Sequence, residues 1–135
     1  MSFDEADSPF GPMLLLVDDE QLILEMLVEA VEEAGFNTIT SGNAAYAIAL
    51  FEQNGAAIRG LVTDVNLGSG LDGWELARVA RENSPDLPVV YISGASGHEW
   101  SALGVPNSLM ITKPFAPAQV VVAVSSLLVA SDSAS

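Results

Sequence analysis

The stretch "MLLLVDDEQL" (13–22) sets five apolar residues directly against three acids. The apolar run does not alternate, which is the pattern of a strand buried on both faces. The acids stand where such a strand must end. One carboxylate there could cap a helix. Asp18, Asp19 and Glu20 in succession repel one another unless something positive sits among them.

Outward from this stretch the chain keeps a steady alternation. Residues 20–34 take up helical spacing. Leu22, Ile23, Met26, Leu27, Ala30 and Val31 share one broad face, and Glu25, Glu29, Glu32 and Glu33 lie largely outside it. Gly35 is placed to end that helix as its C′ residue. Strands are predicted over 13–17, 36–40, 60–65, 87–93 and 108–112. Helices are predicted over 43–53, with Asn43 as N-cap, over 73–83, capped by Asp72, and over 116–129. Four valines lower the local helix propensity of the last one. Residues 94–107 leave room for one short helix near Glu99–Leu103. Five strand-helix units in succession imply an α/β fold with a doubly wound parallel sheet.

The chain has 135 residues, which suits one domain. The expected division is a flexible lead over 1–12, a domain over 13–129 and a tail over 130–135. Half the residues are hydrophobic, enough for a core without staples. There is no cysteine, so disulfides and thiolate chemistry are excluded. Four basic residues face eighteen acidic ones, a net charge of −14. Phosphate contacts need clustered Lys and Arg, so nucleic acid and anionic membrane are poor partners. A cation, or a protein with a basic face, fits better. The N-terminus has no signal-peptide pattern, and the longest apolar stretch, 116–130, is too short to span a bilayer. The expectation is a soluble, cytoplasmic protein.

Ligands of doubly wound sheets bind at the carboxyl ends of the strands. There the chain places Asp18 and Asp19, Asp64, Ser93, and Lys113 with Pro114. Carboxylates with few cationic neighbours suit a hard divalent cation, and Mg2+ takes oxygen ligands while keeping waters or phosphate oxygens. Lys113 supplies a point charge and Ser93 a hydroxyl for a phosphate group. Asp64 is placed as a nucleophile toward phosphorus.

Five pieces, "LLLVDDE", "LVTDVNL", "LDGWELA", "VVYISG" and "TKPF", together resemble the receiver domain of two-component response regulators. They do so in family order over about 13–129. The resemblance implies a flavodoxin-like (βα)5 fold with strand order 2-1-3-4-5. It implies Asp64 as phosphoacceptor. It implies a Mg2+ site made by Asp18, Asp19, Asp64 and the backbone carbonyl of Asn66, with one of the first two acting directly and the other directly or through water. Ser93 would be the switch hydroxyl, Lys113 the phosphoryl contact, and Lys113–Pro114 a cis peptide bond. The implied partners are a histidine kinase or histidine phosphotransfer protein and an unknown downstream protein. The implied state is a monomer or a weak phosphorylation-dependent dimer.

Two departures stand out. "VNLGSGLDGW" (65–74) is glycine-rich, lacks the usual Met-Pro and is one residue longer than the family loop. Met110 occupies the place of the usual switch aromatic. His98, the only histidine, reads as a surface residue. Trp74 and Trp100 read as partly buried, with Trp100 also a candidate interface anchor.

The expected function is that of a single-domain response regulator, not an enzyme on a separate substrate. It would take a phosphoryl group from phosphohistidine and signal by protein contact, or relay or drain phosphate. Two alternatives stand beside it. One is a degenerate receiver that binds partners without phosphorylation, against which the intact set of Asp18, Asp19, Asp64, Ser93 and Lys113 argues. The other is an aspartyl-phosphate phosphatase. That class carries an acid two residues after its nucleophile, where this chain has Asn66, which cannot exchange a proton at neutral pH.

Overall fold

In the computed structural model the opening run, Met13–Val17, is strand β1, and residues 12–94 and 97–134 are described. After it come α1 (Gln21–Glu33), β2 (Asn37–Ser41), α2 (Ala44–Asn54), β3 (Ile58–Asp64), α3 (Gly73–Asn83) and β4 (Val89–Ser93). A 3-10 turn over Gly97–Glu99 leads into α4 (Trp100–Leu103), then β5 (Ser108–Thr112) and α5 (Pro117–Ala134). The five strands are parallel, in the order β2-β1-β3-β4-β5. This is the flavodoxin-like order that the resemblance implied.

Why β1 shows no alternation is now physical. Leu15 and Val17 pack on one face with Ala47, Phe51, Trp74 and Tyr91. Leu14 and Leu16 pack on the other with Leu24, Leu27, Val31, Val120 and Val124. Helices α2 and α3 cover the first face, and α1 and α5 the second. Each fully buried Leu contributes roughly 1.5–3 kcal/mol over an exposed one. A polar residue in β1 would face a core on either side.

The helix ends follow their local chemistry. Gly35 (φ 102) closes α1: its N–H donates to the Glu32 carbonyl (3.0 Å), and the Phe36 N–H donates to Val31 (3.1 Å). That pair of bonds is a Schellman motif. Phe36 is spent on it, so β2 begins at Asn37. Asn43 caps α2 by accepting from the Tyr46 N–H (2.8 Å). Asp72 and Glu75 form a capping box at the start of α3.

Expectations of extent and of burial change. Helix α5 continues past 129 through Ala134, over most of the expected tail. Leu127 and Leu128 pack against the α1/α5 core, and Ser131 Oγ donates to the Asp86 carbonyl (3.4 Å). This packing outweighs the low propensity of the valines. Trp74 is buried rather than half-buried, its ring 4.6 Å from that of Tyr91. The expected lead over 1–12 lies outside the described residues except for Pro12, whose carbonyl accepts from the Asn37 N–H (3.0 Å).

Candidate functional site

The carboxyl ends of β1, β3, β4 and β5 surround a cleft of about 310 Å³ lined by Asp19, Glu20, Asp64, Asn66, Ser93, Gly94 and Lys113. The sequence-predicted residues therefore converge, although up to 95 positions separate Asp18 from Lys113.

Asp64 ends β3 and is 4% exposed. Its Oδ2 accepts from Lys113 Nζ at 3.0 Å, and its Oδ1 accepts from the Asn66 N–H at 3.2 Å. Lys113 follows β5, where its N–H donates to the Ser93 carbonyl (2.9 Å), and its bond to Pro114 is cis. Glu20 is a second, looser partner of Lys113 at 3.9 Å. It is largely exposed, so the pair contributes little.

Asp18 is 1% exposed. Its Oδ1 accepts from the Glu20 N–H (2.9 Å), while its Oδ2 is buried with no hydrogen-bond partner among the described residues. Asp18, Asp19 and Glu20 each offer an oxygen within 4.8 Å of the others. The simpler reading of these acids, as a side-chain cap on α1, does not hold. Glu20 occupies the N-cap position without any side-chain hydrogen bond to the helix.

The electrostatics follow from burial. Burial pushes the Asp18 carboxyl up to about 6, helped by the charges of Asp64 and Asp19. The Glu20 N–H and Lys113 pull the other way. Asp64 is also raised, chiefly by burial, against the opposing pull of Lys113 and Asn66. Burial alone would lower Lys113, yet its hydrogen bond to Asp64 and the surrounding carboxylates hold it above its ordinary value. One ammonium thus faces more negative charge than it can offset.

A divalent cation fits this imbalance. The donors are all oxygens, as Mg2+ requires. The orphaned Asp18 Oδ2 is the particular observation that favours it, because a buried carboxylate oxygen without a partner is costly. Asp18, Asp19 and Asp64 are the side chains that would hold the ion.

Ser93 ends β4 and is 2% exposed. Met110 is half-buried beside Tyr91, its register partner on β4. His98 is exposed, as expected. Trp100 is half-buried, and its Nε1 donates to Ser108 Oγ (3.0 Å).

Sequence reasoning missed two contributors. Ser41, at the end of β2, accepts from the Asp18 N–H (3.1 Å) and steadies the first acid. Gly73 opens α3 so close to β3 that a Cβ there would collide with the Asp64 carbonyl. Its N–H donates to the Val65 carbonyl at 2.8 Å. The pair Asp72-Gly73 was visible in "LDGW", but the approach of α3 to β3 was not.

An acidic cleft with a lysine-paired aspartate, at the carboxyl edge of a 2-1-3-4-5 parallel sheet, is the arrangement of a receiver. The chain belongs to the response regulator receiver domain family, whose model matches residues 14–125. Among solved structures, it is 44% identical to a response regulator receiver protein from Sinorhizobium medicae WSM419, with a TM-score of 0.86. That match covers 90% of this chain and 97% of the other. It is 35% identical over 81 residues to the response regulator receiver protein CpdR of Brucella abortus, covering 60% of this chain and 65% of CpdR. It is 31% identical over 122 residues to the phosphate regulon transcriptional regulatory protein PhoB of Pseudomonas aeruginosa, covering 87% of this chain and 52% of PhoB. The chain thus spans about half to two thirds of the length of these two relatives. Receiver domains act in phosphoacceptor signalling with histidine kinases or phosphotransfer proteins. No helix among the described residues is long and apolar enough to cross a membrane.

Proposed function

We propose that this chain accepts a phosphoryl group on Asp64 from a phosphohistidine donor in a Mg2+-dependent reaction. The observation that carries this reading is the 3.0 Å pairing of Lys113 Nζ with Asp64 Oδ2, beside a buried Asp18 oxygen that has no hydrogen-bond partner among the described residues. An Asp64 oxygen attacks phosphorus, the P–N bond breaks, and the imidazole leaves with its electron pair. The product is an acyl phosphate. Lys113, released from its carboxylate partner, is within reach of a phosphoryl oxygen, and Ser93 at the cleft wall offers a hydroxyl to another. The bound ion would neutralise charge developing on the transferring group.

On this reading the chain is a signalling phosphoacceptor and not an enzyme with a separate substrate. It acts in the cytoplasm and passes its state on by protein contact or relays phosphate. Phosphorylation shifts an existing equilibrium between conformations.

The test is intact-mass analysis after incubation with a small-molecule phosphodonor and with a phosphorylated histidine phosphotransfer domain, each with and without Mg2+. Wild type gains one phosphoryl group only with Mg2+, and Asp64→Asn gains none. Failure with both donors would leave the phosphorylation-independent binding module as the better account.

A further inference from the structure

The loop between β3 and α3 carries the main departure from the family pattern, and it borders the cleft. Both of its ends are fastened. At the first, Asn66 donates its N–H to Asp64 Oδ1, and its own Oδ1 accepts from the Gly68 N–H at 3.2 Å. At the second, the capping box holds Asp72, and Gly73 bonds to the Val65 carbonyl. Leu67 is buried and pins the stretch between them.

Two glycines in this loop have positive φ, Gly68 at 80° and Gly70 at 91°. Their surroundings differ. A Cβ built on Gly70 would meet nothing within 4 Å. A Cβ built on Gly68 would lie 3.7 Å from Asp19 Oδ2. Asp19 is exposed and lines the cleft.

We propose that Gly68 is a positioning residue for the cation site, because a residue with no side chain beside Asp19 Oδ2 leaves that oxygen open to the hydrated ion. The proposal rests on reading the cleft as a Mg2+ site. Mg2+ holds an octahedral shell and gives up its waters reluctantly. A carboxylate serving it directly or through water needs free space around the oxygen. A methyl group 3.7 Å away would not push the carboxylate aside, but it would fill that space on one flank. The positive φ lets the chain turn back after Asn66 and carry residue 68 to this place.

Crowding and backbone strain are separable here, because Gly70 shares the strain and lacks the neighbour. The experiment is calorimetric titration of Mg2+ into the EDTA-stripped protein, for wild type, Gly68→Ala, Gly68→Asn and Gly70→Ala. Circular dichroism melts check that each variant folds. Asn tolerates positive φ better than Ala but is bulkier. Gly68→Ala is expected to weaken Mg2+ about tenfold, in the range of other ligand-supporting positions. Gly68→Asn should lose at least as much, and Gly70→Ala should stay within about twofold. Equal losses in Gly68→Ala and Gly70→Ala would overturn the proposal. So would recovery in Gly68→Asn, or wild-type affinity in both Gly68 variants. Absence of Mg2+ binding by the wild type would overturn the cation site itself and this inference with it.

Discussion

Ser93 and Tyr91 lie two positions apart on β4 and belong to opposite kinds of environment. Ser93 borders a cleft in which Asp18 and Asp64 are both held above the usual carboxylate range, and one Asp18 oxygen has no partner among the described residues. Tyr91 lies in a closed hydrogen-bonded cluster. Its hydroxyl accepts from the Val105 N–H (3.0 Å), Ser108 Oγ donates to the Val105 carbonyl (2.6 Å), and Trp100 Nε1 donates to Ser108 Oγ. Where buried polar groups are satisfied within the chain, they contribute stability. Where like charges are buried together and raise one another, they mark a candidate functional site.

The sharpest way to test that contrast is Asp18→Asn. It is expected to weaken Mg2+ binding about 100-fold, because it removes a charged oxygen ligand. The same change should stabilise the metal-free protein. Moving a carboxyl from 3.8 to about 6 costs roughly 3 kcal/mol at neutral pH, so a gain of about 1–3 kcal/mol is expected. Calorimetry for Mg2+ and thermal melts in EDTA measure the two effects. A loss of both affinity and stability would remove the contrast.

Tyr91→Phe is the converse. It leaves the buried Val105 N–H without its acceptor and should cost about 1–3 kcal/mol by urea unfolding. Mg2+ affinity should stay within about twofold. A large change in affinity would show that the two regions are not separate.

The pH dependence sharpens the comparison further. The folded-state pKa of Asp18 lies above its ordinary 3.8, so the fold takes up a proton. The associated stabilisation is complete below 3.8 and is lost as pH rises through about 6. In EDTA the stability gap between wild type and Asp18→Asn should therefore be wide at pH 7.5 and narrow at pH 5. Mg2+ binding should follow the opposite course, weakening by about tenfold per pH unit below 6, since the ion needs the carboxylate. Melts and titrations at the two pH values check both slopes.

The smallest effect is expected at Asp72→Ala, which removes the capping box of α3 and should cost about 1 kcal/mol. It should leave Mg2+ affinity nearly unchanged, provided Gly73 still holds α3 against β3.

Most of the fold was legible because its signals are local. The unbroken apolar run of β1, the glutamate-lined outer face of α1, Gly35, Asn43 and Asp72 each act within a few residues of themselves. The boundaries moved where distant packing intervened. Leu127, Leu128 and Ser131 draw α5 onward through Ala134, and Phe36 is taken by the end of α1.

The site divides in the same way. Residue chemistry and order nominated Asp18, Asp19, Asp64, Ser93 and Lys113, and the alternation of elements placed them at one sheet edge. No local signal could show that Asp18 would bury an oxygen without a partner, that Gly73 would press against the Asp64 carbonyl, or that Gly68 would pass beside Asp19. Those are distances between segments far apart in the chain or separated by a turn. Sequence by itself determined which residue types reach the carboxyl edge, because strand and helix periodicity act over short range. Only the tertiary structure decided which oxygens are satisfied and which are left without a partner among the described residues, because burial and contact depend on every segment that packs around them.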